Sequence, residues 1–189
     1  MKTLQDLFEY QLRDLYSAEE QLLEVLDIFA HKVTDDQLKE IMEDHLSETK
    51  LHLTRLEIIC DELEISTLGN TCHAMDGLVM TVHQFLNDNM EGDVLNAGLM
   101  ALAQRLGHYE ISGYSSAIRF AKELGLREVS KKLQLTLNEE YETDDRLSDM
   151  AEDRLSRKAM ENIWILAIPT PKIILLLERK PKSVDSEIV

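Results

Sequence analysis

Four stripes of apolar residues at helical spacing run through this chain, and each is broken near its middle by an ionisable side chain. The second is the most heavily interrupted. It reads Leu38, Ile41, His45, Glu48, His52, Leu56, Ile59 and Leu63, in steps of three or four that place all eight on one face of a helix. The first runs Leu4, Phe8, Leu12, Leu15, Glu19, Leu22, Leu26, with one acid where a leucine belongs. The third runs Leu99, Leu102, Leu106, Glu110, Gly113, Ala117, Phe120, Leu124, and the fourth Val129, Leu133, Leu137, Glu140, Asp144, Leu147, Ala151. A charge on a buried face is costly unless it is paired or holds a metal. An exposed stripe edge would account for one such residue. Four at matching depth predict a shared interior layer. Glu19 and Glu48 are 29 positions apart and Glu110 and Glu140 are 30, so two similar helical hairpins bring all four to one level. Helical bundles build internal metal sites from facing helices in this way.

Three prolines and seven glycines in 189 residues leave long helices uninterrupted and favour an all-α chain. Thr3 with Asp6 predicts the first N-terminus, and that helix extends to about Ala30. Thr34 with Gln37 predicts the second, ending near Glu64. A shorter helix over Cys72–Asn87 connects across the bundle, Asp93 caps the third long helix, and Gly125 stops it. Residues 1–155 read as one helical bundle. Residues 156–189 read as an extension with β-prone apolar runs, Trp164–Ile168 and Ile173–Leu177, around Pro169-Thr170-Pro171, able to pack on the bundle or on a partner subunit.

The formal charge of −16 lacks the basic footprint of a nucleic-acid binder. It reads as a solvated acidic surface, or more weakly as a field that attracts cations. Cys60 and Cys72 have no zinc-like spacing, the N-terminus lacks a signal-peptide core, and no apolar run reaches the length of a membrane span. The expectation is a cytoplasmic protein with reduced thiols and no membrane partner. Neither a glycine-framed serine elbow nor a phosphate-binding loop is present.

Several short motifs, each weak alone, together resemble one family. They are Tyr16-Ser17-Ala18-Glu19, His45-x-x-Glu48-Thr49, the stretch Cys72 to Gly77, His108-Tyr109-Glu110, and Glu139-Glu140-x-x-Thr143-Asp144. Over about residues 1–155 the chain resembles the YciF-like stress proteins, a branch of the ferritin-like superfamily. The resemblance implies a ferritin-like four-helix bundle with a short connecting helix, usually dimeric, with a di-iron or di-manganese carboxylate centre. Carried onto this sequence, the candidate ligands are Glu19, His45, Glu48, Glu110, Glu140 and Asp144. The family usually has a glutamate directly before its His-Tyr-Glu motif, and here that residue is Gly107, so one of two metal positions is expected to be weak or empty. Hard oxygen donors with imidazole suit iron or manganese, and zinc can also bind. Such a centre would handle oxygen, peroxide or iron itself. The competing expectation is a non-enzymatic dimeric bundle that keeps a degenerate site as a polar network. His52 reads equally as ligand or stripe edge, and His108 as a surface residue. Tyr16 and Tyr109 read as core residues or redox partners, Glu139 as a solvated or bridging acid, and His31, His73 and His83 as ordinary.

Overall fold

The computed structural model describes residues 1–151 apart from residue 89. Its elements are α1 (Leu4–Lys32), α2 (Asp36–Glu62), α3 (His73–Leu86), α4 (Gly92–Glu123) and α5 (Arg127–Met150). The expected all-α organisation of four long helices and a short connector holds. The expected extension over 156–189 lies outside the described residues.

Local chemistry sets the helix ends. Thr3 and Asp6 form the reciprocal capping box expected of them. At α2 the N-cap is Asp35, one residue later than the expected Thr34, and its carboxylate accepts from the N–H groups of Gln37 and Leu38. Helix α4 starts at Gly92 behind Glu91, so Asp93 lies in its first turn, where an acid suits the helix dipole, and not at the cap. Two helices stop in the same way. Gly125 N–H bonds to the Lys122 carbonyl and Leu126 N–H to the Ala121 carbonyl, with Gly125 at φ +74°. After α2, Glu64 N–H reaches Asp61 and Ile65 N–H reaches Cys60, but the left-handed residue is Glu64, at φ +55°.

The long helices form a ring in the order α1, α2, α5, α4, and α3 packs on α1 and α4. Helices α1 and α2 form one antiparallel hairpin and α4 and α5 the other. Thr34, just past α1, donates its N–H to Asn96 near the start of α4 at 3.0 Å. Helix α4 therefore begins where α1 ends, while α2 finishes at the opposite end. The chain must travel the length of the bundle between them, and α3 is that crossover.

The apolar interior falls into two blocks. One contains Leu22, Leu26, Phe29, Leu38, Ile41, Leu99, Leu106 and Leu147. The other contains Phe8, Leu12, Leu15, Leu56, Ile59, Tyr114, Leu133 and Leu137. Each fully buried leucine or phenylalanine contributes about 1.5–3 kcal/mol. Between the blocks lie the buried side chains of Glu19, His45, Thr49, His52, Glu110 and Glu140. Among the described residues no helix is long and apolar enough to cross a membrane.

The two helix stops give opposed expectations. Gly125→Ala places a Cβ in the left-handed region and should cost about 1 kcal/mol, whereas Glu64→Gly should be neutral or stabilise by up to about 1 kcal/mol. Urea unfolding checks both through the midpoint at unchanged slope. Equal shifts of the same sign would contradict this account.

Candidate metal centre

Each member of the polar layer comes from a different long helix or a different turn of one. Glu19 sits on α1, His45 and His52 on α2, Glu110 on α4 and Glu140 on α5, all with at most 1% exposure. His45, Glu110 and Glu140 each offer one ligand atom, and these atoms all lie within 4.8 Å of one another. His45 Nε2 is 3.3 Å from Glu140 Oε1. His52 Nδ1 lies 3.3 Å from Glu19 Oε1 and 3.4 Å from Glu140 Oε1, which ties Glu19 to the same layer. On its far side, His52 Nε2 is 3.0 Å from Glu139 Oε2. Arg55 reaches the same Glu139 carboxylate at 2.8 and 3.2 Å and also bonds Thr136.

The layer holds several buried polar atoms with no hydrogen-bond partner, namely Glu19 Oε2, both Glu110 oxygens, Glu140 Oε2 and His45 Nδ1. Burial, with the charges of Glu140 and Glu19, pushes the Glu110 carboxyl well above its ordinary range, which favours its protonated form. Burial opposes charge on His45, but the Glu140 charge and hydrogen bond outweigh it and raise its pKa. Burial likewise opposes charge on His52, yet the hydrogen bonds to Glu139 and Glu19 and the charges of Glu19 and Glu140 push it up to about 10. The bond from His52, aided by Arg55, holds Glu139 down to about 2. Without a metal, protons on His45, His52 and Glu110 offset the buried acids.

The donors fit a hard divalent cation: carboxylate oxygens with no other partner, and an imidazole, converging from three helices. The sequence-predicted residues divide accordingly. His45, Glu110 and Glu140 meet directly, and Glu19 joins through His52. Glu48 is half-buried and accepts from Thr143 Oγ1 at 3.3 Å. Asp144 is not brought to the layer. Its carboxylate lies 3.0 Å from Nε2 of His108, whose side chain is 61% exposed. The inward position one step earlier belongs to Thr143, which is buried. A Cβ built on Gly107 would meet only Glu140 Oε2, at 3.5 Å, so a side chain at 107 would point at the cluster.

His52 proves to be interior, not a stripe edge, while His108 lies at the surface as expected. Tyr16 donates to Glu57 at 3.0 Å, and its phenol is pushed up to about 12 by burial and by Glu57. Sequence reasoning missed Tyr114, fully buried and donating to Glu19 Oε1 at 2.5 Å. It also missed Arg55, which anchors Glu139. Tyr114 lies one turn after Glu110, and that spacing was the available signal.

Fold and layer together define an all-α bundle with an internal carboxylate–histidine cluster. The profile of the domain of unknown function DUF892 matches residues 3–160. Protein YciF of Escherichia coli K12 is 34% identical over 160 residues, spanning 84% of this chain and 96% of that protein. The chain belongs to this family of YciF-like proteins. The crystal structure described as the E. coli stress protein YciF superposes with a TM-score of 0.78, covering 81% of this chain and 97% of the other. YcfI, described as a putative structural protein from Rhodopseudomonas palustris, gives 0.76 at 32% identity, covering 78% and 94%. A Xanthomonas campestris protein gives 0.70 at 18% identity, covering 86% and 99%, and shares the fold.

The protonation pattern carries a sign. His52 has a raised folded-state pKa, so its contribution is complete below the ordinary 6.5 and is lost as pH rises through about 10. Glu110, also raised, acts in the same direction. Glu139 is lowered, so its contribution is present above 4.5 and is lost as pH falls toward about 2. Thermal unfolding in chelator should therefore show the melting temperature falling between neutral and alkaline pH. His52→Gln should flatten that fall, and an unchanged alkaline profile in the variant would refute the assignment.

Proposed function

We propose that the chain is a metal-binding protein of the stress response, holding iron or manganese in its polar layer, with zinc as a competitor. The carrying observation is the meeting of His45, Glu110 and Glu140, with buried carboxylate oxygens that have no hydrogen-bond partner. These three residues would hold the first ion. Glu19, with Glu48 or His52 adjusting toward it, would serve a weaker second position. Gly107 supplies no carboxylate there. When bound, iron or manganese would supply reactivity toward oxygen or peroxide, which links the site to oxidant or iron handling. The E. coli relative's description as a stress protein supports the same direction.

The chain's own groups prepare the site for such an ion. Tyr114 orients Glu19, and Arg55 with Glu139 holds His52 at the inner edge. The two apolar blocks exclude water from either side. Binding must displace the protons on His45 and Glu110, so affinity should fall as pH falls. We further propose a homodimer as the working unit, which light scattering would test.

Elemental analysis and titration calorimetry with ferrous iron, manganese and zinc test the central reading. At about 100 times its Kd, the preferred metal should stabilise the fold by about 2.7 kcal/mol. Glu110→Gln and His45→Gln should each weaken binding by more than about tenfold. A wild-type chain that binds none of the three metals would leave the layer as a degenerate polar network.

A further inference from the structure

Away from the ionisable layer, a second group of reactive side chains meets where α1, α4 and the start of α3 touch. Tyr109 donates its hydroxyl hydrogen to Asp14 Oδ2 at 2.6 Å. Cys72 Sγ lies 2.9 Å from the Tyr109 oxygen and 3.3 Å from the same Asp14 oxygen. The backbone of Cys72 is clamped onto α1. Its N–H donates to Ser17 Oγ at 3.0 Å, and its carbonyl accepts from Gln21 Nε2 at 3.2 Å. Cys72 is fully buried, while Asp14 and Tyr109 are half-buried and extend the group toward solvent.

Thiolate chemistry is disfavoured at this place. Burial pushes the Cys72 thiol up against the lowering effect of the Tyr109 bond, and Asp14 adds to the rise. Nucleophilic and metal-binding cysteines act as thiolates, so neither role suits it. The Tyr109 phenol is neutral at ordinary pH, as free phenols are, and its hydroxyl already points at Asp14. Two neutral X–H groups therefore stand in series with a carboxylate acceptor. That arrangement suits one-electron oxidation. Loss of an electron from the phenol alone would leave a cation in a partly buried place, which is costly. Transfer of the proton to Asp14 in the same event avoids it.

We propose that Asp14, Tyr109 and Cys72 form a relay that moves one-electron oxidising equivalents from Tyr109 onto Cys72. A one-electron oxidant, such as an oxygen-derived radical or an outer-sphere metal complex, accepts an electron from Tyr109. The Tyr109 O–H bond breaks and its proton bonds to Asp14 Oδ2, giving a neutral tyrosyl radical and a carboxylic acid. The Cys72 S–H bond then breaks, its hydrogen atom re-forms the Tyr109 O–H bond, and the unpaired electron rests on sulfur. In sum, Cys72 loses one electron to the oxidant and one proton to Asp14. Tyr109 directly precedes Glu110, so the relay starts beside the ionisable layer. It stands independently of the metal reading, because all its parts belong to the chain itself.

The test uses the full-length, metal-free chain and photogenerated, oxidised ruthenium tris-bipyridine, followed by transient absorption and by electron paramagnetic resonance after rapid freezing. Subtracting the Tyr109→Phe signal removes the contribution of the other tyrosines. The wild-type difference should show a short-lived tyrosyl radical giving way to a sulfur-centred radical in the frozen samples. Cys72→Ser should lengthen the tyrosyl lifetime about tenfold and abolish the Tyr109-dependent sulfur signal. Asp14→Asn should slow tyrosyl formation about tenfold. Circular dichroism checks each fold, and if Asp14→Asn is unfolded the Cys72→Ser lifetime decides. No Tyr109-dependent radical, or a lifetime unchanged in Cys72→Ser, overturns the proposal.

Discussion

The structure depends on burying acids and imidazoles in one layer across the middle of the core. Glu19, Glu110 and Glu140 face His45 and His52 with essentially no solvent contact. An isolated buried carboxylate would cost several kcal/mol, and removing one member of a buried pair is strongly destabilising. The layer persists because its members offset one another. Imidazoles keep protons that burial would otherwise remove, and Glu110 keeps a proton that neutral water would otherwise take. The two apolar blocks pack on either side of the layer and hold the helices together there.

The proposed cation would enter the same balance. Protons and a divalent metal compete for the same oxygens and the same imidazole nitrogen. A purely structural network would be expected to satisfy its acceptors with hydroxyls or amides. Here Glu110 accepts from no donor, and Glu140 keeps one oxygen unpaired. The supporting residues sit one step outside. Arg55 and Glu139 brace His52, and Tyr114 braces Glu19, so the interior groups are held without using up the oxygens that face the cluster.

Much of this was legible in the stripes. Glu19, His45, Glu110 and Glu140 were marked by their place among leucines, and all four are buried. The misplacements share one origin. A helix turns 3.6 residues at a time, so either i+3 or i+4 can continue an inward face. After His45 the sequence offers Glu48 or Thr49, and Thr49 is the fully buried one. After Glu140 it offers Thr143 or Asp144. Thr143 turns inward, while Asp144 falls on the α4–α5 seam beside His108. After Glu110 the face drifts from Gly113 to Tyr114, a residue whose hydroxyl could satisfy a buried acid. Composition could not break these ties, because hydroxyl and carboxyl residues both tolerate a half-buried edge.

The sequence by itself determined the helices, the crossover, and the depth at which ionisable groups enter the core. These follow from local periodicity, capping and the placement of glycine and proline. Only the tertiary structure decided which of two adjacent residues faces inward and which acids share a histidine. It alone also brings Asp14 of α1, Tyr109 of α4 and Cys72, just before α3, together. Those choices depend on the rotation of each helix about its own axis. That rotation is set by how neighbouring helices pack, and no single stripe contains it.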